Sequence, residues 1–309
     1  MFSTIKLLLA PFVLYTLLAG GVAYLLVFAI DRRLRPTPRT RTFLYIGVLV
    51  APLITYAGYL FHIWRSCASS YGEFYHRLCV ISIRYSGFLS PLTLFLLGGY
   101  LVYRVALHYS SPLRSKGRST NKAYFERVNQ VLQALPGGSQ VEVEVGENCY
   151  PSAFVRGYKS PRLVVTSGLL DLLDKEELEG VIAHELAHVT SRDNYLNWVF
   201  VFRELTFFSP FAQAAFNAFS QAREEAADIM GTIGSAERSL ALASALIKVA
   251  KRAQELIQLT QLSWAHSYFT GAQGVTRRVE LLVSGEQIYS SLSPVYPLAI
   301  LAALMMLIC

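Results

Sequence analysis

The residues best suited to do chemistry lie in one short run, His184-Glu185-Leu186-Ala187-His188. Side chains four positions apart on a helix lie on the same face, so the two imidazoles can bind one metal ion. Glu185 lies beside them and can hold a water molecule on that ion. We therefore predict a metal-dependent hydrolytic site. The alternative is a buried helix that carries two structural histidines.

The sequence around this run predicts a helix. Asp174 and Glu177 have the spacing of a capping box, in which each side chain accepts a hydrogen bond from the other residue's backbone N–H. Apolar residues follow at helical spacing, and no proline occurs between Lys175 and Asn194. The two histidines are therefore expected on one face of a single helix.

A second segment, 221–230, supplies the candidate third ligand. A catalytic zinc ion needs three protein ligands and one open position. Glu224 and Asp228 are four residues apart on a second predicted helix, so Glu224 can bind the ion while Asp228 accepts the far N–H of one histidine. Glu225 points about 100° away and is expected to be solvated or paired with Arg223. The alternative is an ordinary charged helix surface.

The elements that position these residues include apolar segments long enough for a membrane. The chain is 53% hydrophobic and 16% charged, whereas an average soluble domain carries roughly 25% charge. The first apolar stretch exceeds the roughly 20 residues that cross a bilayer, and its length argues against a cleaved signal peptide. We predict four transmembrane helices, over Leu7–Ile30, Thr42–Trp64, about 85–103 and about 292–309.

The distribution of charge orients these helices. Residues 1–120 hold 13 Lys and Arg but two acids, and loop 31–41 alone carries five arginines. Basic loops remain in the cytoplasm, which predicts an outer N-terminus and a cytoplasmic catalytic domain in contact with membrane lipid. A nucleic-acid binder would carry its basic excess on the soluble domain, so no nucleic-acid partner is expected.

Loop 65–84 is placed outside the cell by this topology. It contains Cys67 and Cys79, in a compartment where disulfides persist. A disulfide between them is expected, with two free thiols as the alternative.

The fold class is therefore a mainly α membrane protein with an α+β domain inserted between the third and fourth helices. A polar, turn-rich linker over 111–122 separates this domain from the membrane region. A helix, three short strands and a further helical region are predicted over 123–135, 141–145, 153–157, 162–166 and on to about 283. The domain boundaries are 1–110, 111–290 and 291–309.

An apolar run over 195–219 lies between the two ligand segments. His188 and Glu224 must meet at one ion, so the chain crosses the membrane an even number of times between them. Two crossings need about 40 residues, and 35 residues separate the ligands. The run is therefore expected not to span. It forms either a hairpin that packs on the domain or dips into the cytoplasmic leaflet, or a pair of buried core helices.

Three segments, 161–194, 207–216 and 223–231, together resemble the beta-lactam sensor-transducer (antirepressor) family of membrane zinc metallopeptidases. The resemblance implies three spans, a cytoplasmic gluzincin-type zinc domain and a fourth span in a bacterial cytoplasmic membrane. It also implies zinc ligands at His184, His188 and Glu224 and a catalytic carboxylate at Glu185. Asp193 falls at a motif position, which implies a hydrogen-bonding role near the ligands, and Arg277-Arg278 resembles the basic pair near the domain's end.

This chain departs from those sensors in two places. It stops at Cys309, where they continue into a penicillin-binding domain, so a short form without drug sensing by that route is expected. Ala226-Ala227 stands where they often place a cysteine. The wider prenyl-protease and heat-shock membrane protease group shares the motifs, but it usually inserts two spans between them, against which the 35-residue separation argues.

The expected activity is zinc-dependent endopeptidase hydrolysis of protein substrates at the cytoplasmic membrane face. The family analogy suggests a cytoplasmic transcriptional repressor as the substrate, in signal transduction. His266 is the sequence's candidate for donating a hydrogen bond to the reacting carbonyl oxygen. Two alternatives remain: a quality-control protease for membrane proteins, and a non-catalytic zinc-binding signalling receptor or scaffold.

Overall fold

The computed structural model describes residues 2–68, 99–100, 102–103, 121–157, 160–260, 272–285, 289 and 299. Three strands, β1 to β3, run over Glu142–Gly146, Ala153–Arg156 and Arg162–Thr166. The helices that we label α1 to α9 run over Phe2–Leu34, Pro38–Ala68, Lys122–Ala134, Ser167–Leu172, Lys175–Thr190, Phe200–Leu205, Pro210–Thr232, Ala236–Thr260 and Ala272–Ser284. Short 3-10 turns occupy Gly138–Gln140 and Asp193–Val199.

The chain forms two compact units. The first contains the described residues of Met1–Ser110, Trp198–Ala222 and Tyr289–Cys309. The second contains those of Ser111–Asn197 and Arg223–Ile288. The helix α7 begins in the first unit and ends in the second. Residues 198–222, which include most of the apolar run between the ligand segments, belong to the first unit together with α1 and α2.

Within the first unit, α1 and α2 are long and apolar enough to cross a membrane. Phe12–Leu34 has a mean hydropathy of 2.2 and Pro38–Gly58 one of 1.4. Length and composition therefore agree with the first two predicted spans. The third and fourth predicted spans lie almost wholly outside the described residues.

A buried ionic contact joins the ends of α1 and α2. The guanidinium of Arg41 lies 2.8 Å from the carboxylate of Asp31, which also accepts a hydrogen bond of 2.9 Å from the hydroxyl of Tyr45. One of the five arginines of the basic loop is therefore neutralised inside the helical hairpin.

The segment 198–222 packs against α1 through aromatic rings. The ring of Phe208 lies 5.9 Å from that of Phe12, and the ring of Phe211 lies 6.1 Å from that of Tyr24. A Cβ on Gly21 would approach the ring of Phe211 to 3.0 Å, so glycine permits this close contact. The run therefore contacts a candidate membrane helix. Whether it dips into the cytoplasmic leaflet stays a prediction.

The second unit is built on a three-stranded sheet with the order β1-β3-β2. β1 pairs with β3 in parallel and β2 pairs with β3 antiparallel, so β2 lies at an edge of the described sheet. The strands confirm the predicted positions to within one or two residues. Apolar residues of α3, β3 and α5 form the core beneath the sheet, including Val128, Leu132, Leu163, Leu178 and Ile182.

The predicted capping box opens α5. Asp174 Oδ1 accepts a hydrogen bond of 2.9 Å from the backbone N–H of Glu177, and Glu177 Oε2 accepts one of 3.0 Å from that of Asp174. The buried Glu177 carboxylate also binds Lys248 and Ser244 of α8 at 2.6 Å. These bonds hold the start of α5 against α8 and set the position of the histidines further along α5.

Candidate metal centre

The two histidines of α5 present one nitrogen each to the same point. His184 is buried and His188 is half-buried, and their Nε2 atoms lie 3.2 Å apart. The opposite face of α5 carries Leu178 and Ile182 into the core. The helical spacing read from the sequence therefore brings both imidazoles to one site.

The far nitrogen of each imidazole faces a carboxylate. Nδ1 of His184 lies 2.8 Å from Asp228 Oδ1, and Nδ1 of His188 lies 2.7 Å from Asp193 Oδ2. Asp193 reaches His188 because Arg192 adopts a left-handed backbone with φ of 57°, which reverses the chain after α5. Carboxylates in these positions orient an imidazole so that Nε2 can bind a metal.

Glu224 of α7 completes the group. Its Oε2 lies 3.4 Å from Nε2 of His184 and its Oε1 lies 3.7 Å from Nε2 of His188. One ligand atom from each of the three residues lies within 4.8 Å of the others. Two imidazole nitrogens and one carboxylate oxygen that converge in this way fit a metal ion such as zinc.

A close approach between α7 and α5 fixes this convergence. Glu224, Asp228 and Gly231 lie on one face of α7 because they are spaced by four and three residues. A Cβ on Gly231 would lie 2.9 Å from the backbone nitrogen of His184 and 3.0 Å from the carbonyl of Ala183. The absence of a side chain at Gly231 lets the two ligand helices touch.

Replacing Gly231 with alanine is expected to lower the metal affinity at least tenfold. The new methyl group meets backbone atoms that cannot rotate away, so α7 has to move and carries Glu224 and Asp228 with it. Overpacking of this kind costs about 1–3 kcal/mol of folding free energy. Metal titration of the purified protein, followed by calorimetry, measures the change.

The matched control is Gly274→Ala in α9, where an added Cβ meets nothing within 4 Å. Alanine favours a helix over glycine by about 0.8–1 kcal/mol, so this variant should bind metal as the wild type does. Equal affinities for Gly231→Ala and Gly274→Ala would contradict the proposed role of the close approach.

Arg278 of α9 holds the acidic side chains of the site. Its Nε and Nη2 each donate a hydrogen bond of 2.7 Å to Asp228, one to each carboxylate oxygen. Its Nη1 lies 3.2 Å from Oε2 of Glu224. The sequence marks Arg277-Arg278 only as a resemblance to a basic pair. It does not link Arg278 to Asp228, because 50 residues separate the two and no local spacing connects them.

The structure corrects the expectation for Glu225. This side chain is 2% exposed, and its Oε1 accepts a hydrogen bond of 2.8 Å from Nε of Arg277. It is therefore buried rather than solvated, and Arg277 is one of its partners. Glu225 was expected to face water, but α9 covers that face of α7 through Arg277.

A cavity of about 220 Å³ opens at the candidate metal centre. Its walls come from β2, α5, the turn after α5 and α7, through Phe154, Val155, Glu185, His188, Asp193, Arg223 and Glu224. Burial raises the pKa of the Glu185 carboxyl, against the opposing charges of His184 and His188. A carboxylate with a raised pKa is a better proton acceptor.

The charges of the site favour a protonated His184 when no metal is bound. Burial lowers the pKa of His184, but hydrogen bonds and negative charge from Asp228 and Glu224 outweigh it and raise the pKa to about 10. Burial also raises the pKa of Glu224, yet His184 and Arg278 hold that pKa well below its usual range. A metal ion would therefore displace a proton from His184.

Metal binding is expected to release about one proton near pH 7. Because a metal ligand must be the neutral imidazole, the apparent affinity should rise up to about tenfold per pH unit while the pH stays below the pKa of His184. Calorimetric titration in two buffers with different ionisation heats counts the protons. An affinity that is constant between pH 6 and 8 would contradict the raised pKa.

For three residues singled out from the sequence, the structure does not describe the side chain. His266 and Cys79 lie outside the described residues, and Cys67 lies in α2 without a described side chain. The hydrogen-bonding role of His266 and the disulfide therefore stay predictions.

Two histidines one helical turn apart, a glutamate beside them and a carboxylate from a second helix define the class of metal-dependent peptidases. The chain belongs to Peptidase family M48, whose sequence profile matches residues 123–282. Membership implies a metal ion. In the described part of the chain, His184, His188 and Glu224 form a cluster that could hold one.

Several curated proteins are similar to part of the chain. Protease HtpX of Legionella pneumophila (strain Corby) is 39% identical over 82 residues, which cover 26% of this chain and 29% of that protein. The HtpX homolog of Dictyoglomus thermophilum is 44% identical over 78 residues, 25% and 26% of the two chains. The HtpX homolog of Methanopyrus kandleri is 52% identical over 54 residues, 17% of each. The matches span less than a third of these relatives.

These comparisons do not confirm the resemblance to the beta-lactam sensor-transducers. They show family M48 and HtpX-type relatives, which support a membrane-associated metalloprotease, and they leave the narrower sensor-transducer assignment unconfirmed. Two of the three segments that carried the resemblance, 161–194 and 223–231, contain the residues of the candidate metal site.

Proposed function

We propose that this chain is an integral-membrane zinc endopeptidase that hydrolyses peptide bonds of protein substrates at the cytoplasmic membrane face. The observation that carries the proposal is the convergence of His184, His188 and Glu224 beside Glu185, at a cavity open to a substrate. The sheet edge β2 lies along the same cavity, and a strand that adds there would bring its carbonyl to the site.

The residues of the chain have separable tasks in this proposal. His184, His188 and Glu224 would hold zinc, and a bound zinc ion lowers the pKa of water and polarises a carbonyl. Glu185 takes the proton of the attacking water and delivers it to the leaving amine. Asp228 and Asp193 keep the imidazoles oriented.

The membrane setting is proposed from α1, α2 and the basic residues near them. Both helices suit a bilayer by length and composition, and loop 31–41 is rich in arginine, which favours the cytoplasmic side. We infer a multi-pass protein of a bacterial cytoplasmic membrane, with lipid around residues 1–110 and 291–309 and the peptidase domain, 111–290, in the cytoplasm.

Two kinds of protein substrate are compatible with this site. A dedicated substrate, such as a transcriptional repressor, would make the chain part of a signalling pathway. Many unrelated substrates would make it a quality-control protease. A zinc-binding receptor without turnover is the non-enzymatic alternative, and it would have no need for Glu185 at the cavity.

Comparing protein N-termini across cells that express the wild type or Glu185→Gln at matched levels tests the proposal. New N-termini that depend on Glu185 are expected, and their number separates a dedicated substrate from quality control. Indistinguishable N-termini under several stresses would reject hydrolysis and favour the receptor.

A further inference from the structure

Arg223 occupies the cavity of the metal centre without a task in the proposed reaction. It precedes Glu224 on α7 and lines the cavity together with Glu185 and His188. Its Nη2 lies 3.9 Å from Oε1 of Glu224, and its side chain is 25% exposed. A permanent positive charge therefore stands beside a candidate metal ligand, on the substrate side of the site.

Peptide hydrolysis requires stabilisation of negative charge on the carbonyl oxygen, and a positive charge at this position can provide it. As water adds to the carbonyl carbon, negative charge develops on the carbonyl oxygen, and a fixed hydrogen-bond donor stabilises it. Among the side chains that line the cavity in the described part of the chain, Arg223 and His188 carry N–H donors. His188 directs Nδ1 to Asp193 and Nε2 to the ligand cluster. Arg223 carries five N–H donors on a side chain that lines the cavity, so it is the side chain that we assign to this task.

We propose that Arg223 donates a hydrogen bond to the carbonyl oxygen of the scissile peptide and stabilises its charge in the transition state. The inference rests on the proposed peptidase function. Water oxygen bonds to the carbonyl carbon, its proton passes to Glu185, the carbon–nitrogen bond breaks and the leaving amine takes the proton. Arg223 donates a hydrogen bond and transfers no proton in these steps.

Two other roles for Arg223 fit the structure less well. An acidic substrate side chain would have to enter a cavity that already holds the carboxylates of Glu185 and Glu224. Fixing Glu224 in place is the task of Arg278, whose Nη1 lies 3.2 Å from that carboxylate, whereas 3.9 Å from Arg223 is too long for a hydrogen bond.

Kinetics of the full-length, zinc-loaded protein in detergent provide the first test. Arg223→Gln and Arg223→Lys are compared with the wild type on a fluorogenic peptide from a casein cleavage site. We expect Arg223→Gln to lower kcat about 10²–10³-fold, as the loss of one such donor does, with KM and zinc content little changed. Arg223→Lys should have a kcat between those of Arg223→Gln and the wild type, because lysine can still donate a hydrogen bond. The matched control is Arg252→Gln on α8, whose side chain is 45% exposed in a pair with Glu255.

Inhibitor binding provides a second readout that needs no turnover. A phosphinic peptide carries an oxygen that mimics the charged carbonyl oxygen, whereas a thiol peptide of the same sequence binds through sulfur and lacks it. Arg223→Gln should weaken the phosphinic peptide about as much as it lowers kcat and leave the thiol peptide unaffected.

Other results would overturn the inference. A raised KM with an unchanged kcat would assign Arg223 to substrate binding in the ground state. A loss of zinc, or equal weakening of both inhibitors, would assign it to the structure of the site. A wild type that binds the phosphinic peptide but cleaves nothing would reject the proposed function alone, because the inhibitor comparison would still decide the role of Arg223.

Discussion

Replacing Glu185 with glutamine is expected to lower peptide hydrolysis about 10²–10⁴-fold, the usual contribution of a positioned acid–base group. Glutamine keeps the shape of the side chain but cannot accept a proton. Glu185 lines the cavity beside His188 and Glu224 without being one of the three converging ligands. Zinc content should therefore remain at the wild-type level, as measured by metal analysis of the purified protein alongside the peptide assay.

Glu179→Gln on the same helix is the control for this change. Glu179 pairs with Arg238 at 2.9 Å, and its side chain is 37% exposed. An exposed pair contributes roughly 0–1 kcal/mol, so activity should stay within a few-fold of the wild type. If Glu185→Gln retained wild-type hydrolysis with full zinc content, another group would have to be the base.

Replacing Arg278 with methionine is expected to damage both stability and metal binding. Methionine fills similar space, but it removes the guanidinium that binds both oxygens of the buried Asp228 carboxylate and lies 3.2 Å from Glu224. Breaking a buried ion pair on one side costs about 3–5 kcal/mol, and loss of a group that orients metal ligands lowers metal affinity about 10–100-fold. Thermal unfolding and zinc titration of the same preparation measure the two effects.

Arg252→Met provides the matched comparison, because Arg252 lies in an exposed pair with Glu255, at 3.1 Å. Its loss should cost less than about 1 kcal/mol. A double variant, Arg278→Met with Asp228→Asn, should recover part of the lost stability since it removes the unpaired charge. Additive losses in that double variant would argue against direct coupling between Arg278 and Asp228.

The parts of the site that follow local periodicity could be predicted from the sequence. His184 and His188 share a face because they are one helical turn apart, and the structure brings their Nε2 atoms together. The capping box at Asp174 and Glu177 is also local, since three residues separate the partners. The same holds for α1 and α2, because the length and apolar composition of each helix can be read from a continuous stretch of sequence.

The parts that depend on contacts between distant segments could not be predicted. Arg278 reaches Asp228 and Arg277 reaches Glu225 only because α9 lies against α7. The requirement for glycine at 231 likewise appears only when α5 is placed beside it. Helical periodicity states which residues share a face, but it does not state which element covers that face.

The narrower sensor-transducer assignment is not confirmed, for a related reason. Residues 184–188 and 224–228 have the types and spacing that a three-ligand metal site requires, so unrelated peptidases converge on them or retain them. Segments outside the site distinguish families better, and the match to family M48 extends over residues 123–282.

The helix α7 connects the apolar segment to the candidate metal centre, and this connection bears on how the protein should be purified. The ligands His188 and Glu224 flank the apolar segment, and α7 carries Phe211 at its start and Glu224 further along. A fragment that begins after the candidate membrane helices α1 and α2 still contains 198–222, without the α1 rings that Phe208 and Phe211 contact. We therefore expect a fragment trimmed in this way to expose those aromatic residues to solvent. Detergent or nanodiscs that retain α1 and α2 are the appropriate starting point for biochemistry.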